Sequence, residues 1–130
     1  MNTDVEVRES PIHEKGVFAL RNFESGDVVL MWDTSHVVDE KGIDLLSDAQ
    51  KRFLARFQGK WIIMQEPMRY VNHSCEPNTR SQNGTDIAIL DIQKGDEITS
   101  DYRPEMKAGE RMECHCGAKS CAGYIIGTAA

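Results

Sequence analysis

A chain of 130 residues suffices for one domain with a single core and is too short for two. Apolar residues at 40% and charged ones at 28% exclude disorder as the default state. A formal charge of −6 sets the average surface against nucleic acid and in favour of a cationic partner, so no direct nucleic-acid binding is expected.

The opening stretch Met1-Asn2-Thr3-Asp4-Val5-Glu6 carries no basic region followed by an apolar one, and no apolar run approaches the ~20 residues of a membrane span. The expectation is a soluble intracellular protein, cytoplasmic or nuclear, with no membrane partner. In a reducing compartment four cysteines are read as metal ligands or free thiols before disulfides.

Val5 and Val7 alternate with Glu6 and Arg8, the period of a half-buried strand that ends at Ser10-Pro11. A glycine-bearing loop and a second strand follow in Ile12-His13-Glu14-Lys15-Gly16-Val17-Phe18-Ala19. Phe23 to Asp27 reads as a turn, Val28 to Trp32 as a buried strand, and Val37-Val38 as a short one. One clear helix is predicted between Asp44 and Gln58. Ser47 with Gln50 three residues on fits a capping box, Leu46, Ala49, Phe53 and Phe57 recur at three-and-four spacing, and Gly59 stands where a helix would stop.

Trp61 to Met64 is strand-like, and after it comes the polar run Arg69-Tyr70-Val71-Asn72-His73-Ser74-Cys75-Glu76-Pro77-Asn78. Asn, His and Ser fill a core poorly because each needs hydrogen-bond partners when buried, so three in a row beside a thiol suggest a site. Ser81 to Asp86 reads as a polar loop holding the tight-turn pair Asn83-Gly84. Ile87 to Leu90 and Ile98 to Tyr102 read as strands around a turn at Gln93 to Glu97. Several short strands with one helix favour a mostly β domain over a doubly wound fold. Arg103 to Arg111 reads as a linker to a small tail.

That tail, Cys114-His115-Cys116-Gly117-Ala118-Lys119-Ser120-Cys121, holds two thiols one residue apart, awkward partners for each other in a disulfide but able to face one tetrahedral ion. The remaining thiol is Cys75, and Cys75, Cys114, Cys116 and Cys121 would close a zinc site. A pair of disulfides is the alternative, and His73 or His115 could compete as ligands.

The run from Arg69 to Asn78 resembles the central signature of the SET domain, a family of protein-lysine methyltransferases that use S-adenosylmethionine. Gly95-Asp96-Glu97-Ile98-Thr99-Ser100-Asp101-Tyr102 is similar to its second signature. Glu14-Lys15-Gly16-Val17 resembles its first cofactor loop, with Glu14 where the family places the first glycine of Gly-x-Gly. The Cys-x-Cys-x4-Cys tail is similar to the post-SET module, which borrows its fourth zinc ligand from the central signature. The likeness runs from about Val5 to Ile125. It implies a mostly β SET fold of small antiparallel sheets with a threaded (pseudoknot) carboxy-terminal segment, one main helix and a zinc-stapled tail. Residues 1–103 would form the SET domain and 104–130 the linker and post-SET tail, packed as one unit.

The resemblance further implies that Lys15, Gly16, Val17, Tyr70, Asn72, His73 and Tyr124 bind the cofactor, whose product is S-adenosylhomocysteine. It gives Tyr102 the catalytic position at the end of an apolar lysine channel, and makes the four-cysteine zinc structural. The implied partner is a lysine-containing, basic protein or peptide, a histone among the candidates, with a homodimer as the open alternative to a monomer. The competing reading is a catalytically inactive, zinc-stapled interaction module.

Overall fold

The computed structural model describes residues 3–129; Met1, Asn2 and Ala130, and with them the outermost ends of the two expected units, lie outside the described residues. Strands β1 (Val5–Glu9), β2 (Lys15–Ala19), β3 (Val28–Met31) and β4 (Val37–Val38) are followed by two short helices, α1 (Glu40–Asp44) and α2 (Asp48–Lys51). Then come β5 (Leu54–Phe57), β6 (Lys60–Ile63), β7 (Asn72–His73), β8 (Thr79–Gln82), β9 (Thr85–Ala88), β10 (Glu97–Ser100), β11 (Arg111–Glu113) and β12 (Tyr124–Ile126). Single 3₁₀ turns cover Met68–Tyr70 and Arg103–Glu105.

Four small sheets result: β1-β2-β10-β7, β3-β9-β8, β4-β6-β5 and β11-β12. All pairings are antiparallel except β10 with β7, where Thr99 faces Asn72 and Ser100 faces His73 in parallel. That pairing sets residues 97–100 between segments 15–19 and 72–73, which brings the three sequence motifs into one sheet. The main core lies beneath it, from Val17, Phe23, Leu30, Val71, Ala88, Ile92 and Ile98, with Val17, Leu30 and Ile98 at 0% exposure.

The expected helix from Asp44 to Gln58 is corrected. Ser47 does cap a helix through the predicted box, its hydroxyl accepting from the Gln50 N–H while the Gln50 side chain accepts from the Ser47 N–H. The helix stops at Lys51. Leu54 to Phe57 pairs with Lys60 to Ile63, so Gln58 and Gly59, both at positive φ (48° and 76°), form a two-residue hairpin turn and no helix end. The three-and-four spacing therefore joins residues from two elements.

The polar loop expected from Ser81 to Asp86 shrinks to Asn83-Gly84, both left-handed (φ 50° and 76°), with β8 and β9 closing on either side. Strand β9 consequently starts earlier and ends before Ile89. β10 ends at Ser100, leaving Tyr102 at the start of the following turn and not inside a strand. The tail carries its own ribbon: β11 and β12 pair Met112 with Ile125, and Ile125 packs with Met106 and Cys114 in a second small core that Tyr102, Cys75, Cys116 and Cys121 edge. Its end is tied back where the Thr128 and Ala129 N–H groups donate to the Arg103 and Met106 carbonyls at 2.9 Å.

Candidate active site

Asn72 and His73 form β7, which pairs with β10 and meets the first loop through the Asn72 side chain, and both are almost wholly buried. The Asn72 amide donates to the Lys15 carbonyl at 2.9 Å and to the Glu97 carboxylate at 2.8 Å, and Ser10 Oγ donates to that same carboxylate at 2.8 Å. Glu97 thus ties together segments 10, 72 and 97. A Cβ at Gly16 would collide with the Glu97 carboxylate, which gives that glycine a packing reason. Asn78 adds a second clamp, its amide donating to the Glu97 carbonyl at 2.8 Å while its oxygen accepts from the Thr99 N–H at 2.9 Å.

Glu14 adopts φ 34°, the left-handed region that a glycine occupies without cost, and its side chain turns outward toward Arg52 (3.7 Å) and His13 (3.9 Å). The departure from Gly-x-Gly is accommodated at the rim.

His73 sits between the two halves of the site. Its Nδ1 accepts the Tyr102 N–H at 3.0 Å, so the neutral ring carries its proton on Nε2, 3.5 Å from Cys75 Sγ. Burial holds the imidazole below its usual pKa, against the pull of Asp101. Asp101 stays below the usual carboxylate range in spite of burial, because Arg103 grips it with two hydrogen bonds of 2.9 Å.

The Tyr102 hydroxyl donates to the Val71 carbonyl, and its ring meets His73 edge-on at 5.4 Å between centroids. Burial, with the Asp86 and Glu97 carboxylates near, pushes the phenol far above its usual pKa. It is a neutral donor throughout the physiological range.

A cavity of about 1330 Å³ joins these groups. Lys15, Tyr70, Asn72, His73 and Tyr102 line it; Gly16, Val17 and Tyr124 do not. Val17 is core, and Tyr124 lies half-exposed under the Arg111 guanidinium at 4.1 Å. Lys15 Nζ stands 5.4 Å over the Tyr70 ring, and the Tyr70 hydroxyl accepts from Arg69 at 3.0 Å.

Among the lining residues that sequence reasoning did not single out are two acids with raised pKa values, Asp86 and Glu105. Asp86 is 3% exposed and accepts from the Trp32 indole at 3.2 Å; burial pushes its carboxyl up to about 6. Burial likewise pushes Glu105 up to about 7. An Asp in an alternating strand carries no sequence signal of its own burial.

Cys75, Cys114, Cys116 and Cys121 come together as expected, their sulfurs all within 4.8 Å of one another. A tetrahedral zinc with bonds of about 2.3 Å spaces its sulfurs at about 3.8 Å, so the donor set and its spacing fit that ion. All four thiols are free, which sets aside the disulfide alternative in this structure. His115 is exposed and paired with Glu113 at 3.7 Å, outside the cluster.

The SET domain family model matches residues 14–103. Among similar proteins, human histone-lysine N-methyltransferase 2B is 30% identical over 93% of this chain, and the H3 lysine-4 specific histone-lysine N-methyltransferase of Schizosaccharomyces pombe is 29% identical over 89%. The chain spans only 5% and 14% of those two relatives' lengths. A solved Plasmodium falciparum structure described as that of a proposed histone methyltransferase superposes with a TM-score of 0.65 at 19% identity, covering 78% of this chain and 95% of that one, which supports the fold alone. With its signature motifs in one sheet and a match over most of its length, this chain belongs to the SET domain family.

Proposed function

We propose that the chain is a protein-lysine N-methyltransferase that uses S-adenosylmethionine and acts on a basic protein, with histones the first class to test. The observation that carries the reading is that one cavity is lined at once by the Asn72-His73 segment and by Tyr102. When bound, S-adenosylmethionine supplies a methyl group on a sulfonium, ready for in-line displacement by an amine.

Little covalent work is left to the protein, which must align, exclude water and accept the amine. Asn72 and His73, held by Glu97 and by the Tyr102 backbone, would grip the cofactor's polar ends, with Lys15 reaching in from the first loop. Gly16 supports that grip through its close approach to Glu97. Val17 and Tyr124, placed away from the cavity wall, would contribute backbone and cover. Tyr102, neutral and anchored on Val71, would orient the incoming amine with its phenol.

The four cysteines would hold a zinc with no position open to water, a structural role that pins residues 114–121 beside the cavity. The relatives' names concern histone lysines, and the −6 charge of this chain suits a cationic tail.

The test is transfer of labelled methyl from S-adenosylmethionine to core histones and a panel of lysine-rich proteins, with cofactor binding followed by calorimetry. Cofactor binding and labelled lysine are expected. A folded, metal-loaded chain that binds no methyl donor would return it to the class of interaction modules.

A further inference from the structure

We propose that Asp86, with Ser81 and Glu105 beside it, recognises the target side chain as an alkylammonium, so that the cavity selects a charged amine over a neutral chain of equal length. The inference rests on the lysine reading of the site and names the residues that choose the amine. An apolar channel was the expectation from sequence; the wall on the Tyr102 side instead carries two carboxylates.

The arrangement is specific. Asp86 projects from β9 and is 97% withdrawn from solvent, yet it borders the cavity. Its Oδ2 accepts from Trp32 Nε1 at 3.2 Å and its Oδ1 from Ser81 Oγ at 3.5 Å, which fixes the carboxylate while leaving lone pairs unused. Glu105 shares Ser81 as a neighbour and comes from the turn that follows Tyr102. Among the described residues neither carboxylate has an ion-pair partner; the ion pairs of the chain are all elsewhere. A buried anion without a cation is costly, and an open volume beside it offers a place for one. The raised pKa values of both acids are the expected mark of charge that burial leaves uncompensated.

A primary ammonium satisfies this setting well. It is compact, brings three donors, and arrives on an apolar four-carbon stem that Trp32, Met68 and Tyr70 can flank. A guanidinium is broader and planar, and a hydroxyl brings no charge. The other charged or titratable groups near the pair are Asp101, the Tyr102 phenol, Arg52 reaching Tyr102, and Arg56, which shares a neighbouring hollow with Glu105. None of them neutralises Asp86.

The probe is n-butylammonium, with n-butanol as its neutral isostere, at constant ionic strength. The reporter is the Trp32 indole N–H resonance, assigned by loss of the other indole signal in Trp61→Phe. Butylammonium is expected to shift the Trp32 signal and butanol to leave it in place. Asp86→Asn is expected to weaken the ammonium by about tenfold or more, the loss of a charge-assisted contact, and Glu105→Gln by roughly threefold. Binding should strengthen as pH rises through about 6 to 7, where the two acids ionise.

Equal binding of the two probes, or unchanged affinity in Asp86→Asn, overturns the inference. If that variant does not fold, unchanged affinity in Glu105→Gln overturns it instead. Methyl transfer without ammonium selectivity removes this inference and leaves the enzyme reading intact. Ammonium selectivity without methyl transfer does the reverse.

Discussion

Two regions meet at Tyr102, and they are held by different forces. The body side, Asn72-His73 with Lys15 and Glu97, is fixed by strand pairing over a core whose members reach 0% exposure, and by side-chain clamps 2.8–2.9 Å long. The tail side has a small core of three buried side chains, Met106, Cys114 and Ile125, with Ala129 buried beside the chain end, and a three-residue ribbon. So small a core cannot offset the entropy of ordering some twenty residues. The body would form its half of the site by itself, whereas the tail would need its four sulfurs gathered by an ion, which their spacing allows.

The largest effect should follow from removing that ion. Chelation, or Cys121→Ser, is expected to release residues after Arg111 to proteolysis and to lower methyl transfer more than about 100-fold, while the body keeps its circular dichroism. Metal content by mass spectrometry should fall from one zinc per chain to none. A tail that stays protected without metal would erase the contrast between the two regions.

Next in size is Tyr102→Phe, which sits on the seam. Loss of an orienting hydroxyl is expected to lower kcat by roughly 100-fold. Stability should fall by only about 1 kcal/mol, the worth of its bond to the Val71 carbonyl, because the ring still packs on His73. Chemical denaturation alongside single-turnover kinetics separates the two numbers. A stability loss that accounts for the whole activity loss would make Tyr102 a brace and no more.

The contrast also explains what the sequence reveals and what it conceals. Strands β1, β2, β3 and β6 announce themselves by alternation or apolar runs, and Asn83-Gly84 by turn chemistry. The four cysteines do so by number and spacing, since a metal site repeats its ligands in one chemical type. The helix over residues 44–58 fails because apolar spacing cannot tell one helix from a capped turn followed by a strand. The arbiter was the Gln58-Gly59 pair, whose positive φ values make a hairpin and let Ala55 face Ile62. Asp86 fails for a different reason. Its burial is decided by Trp32 and Ser81, 54 and 5 residues away in sequence, and such tertiary contacts leave no local mark.

That buried carboxyl gives a third prediction, on the body side. Asp86 titrates at about 6 in the folded protein against 3.8 as its ordinary value. The folded state therefore binds more protons at Asp86 between those values, so the contribution of this one residue is most favourable below pH 4 and falls as pH rises toward 6. Each unit is worth about 1.4 kcal/mol, and Asp86→Asn, which keeps an acceptor for the Trp32 indole, should recover about 3 kcal/mol at pH 8. The gain should vanish below about pH 4, where the wild-type acid is already neutral. Urea titrations at both pH values check it. Destabilisation at pH 8 would mean that the charge itself supports the fold, and would weaken the case for a group kept for its ligand.

The smallest effect concerns Glu14, where the body side carries strain of its own. A non-glycine residue at φ 34° costs about 1 kcal/mol relative to glycine. Glycine adds unfolded-state entropy that offsets roughly 0.5 kcal/mol of any relief. The contacts of Glu14 with Arg52 and His13 are long and exposed, worth a few tenths of a kcal/mol at most. Glu14→Gly is therefore expected to change stability by less than about 0.5 kcal/mol, and cofactor affinity by less than roughly twofold, since the Asn72 amide holds the loop through the Lys15 carbonyl whatever stands at position 14. Calorimetry of the variant decides this. A tenfold gain in affinity would show that the side chain at the rim hinders the cofactor and that the clamp at Asn72 is not enough to set the loop.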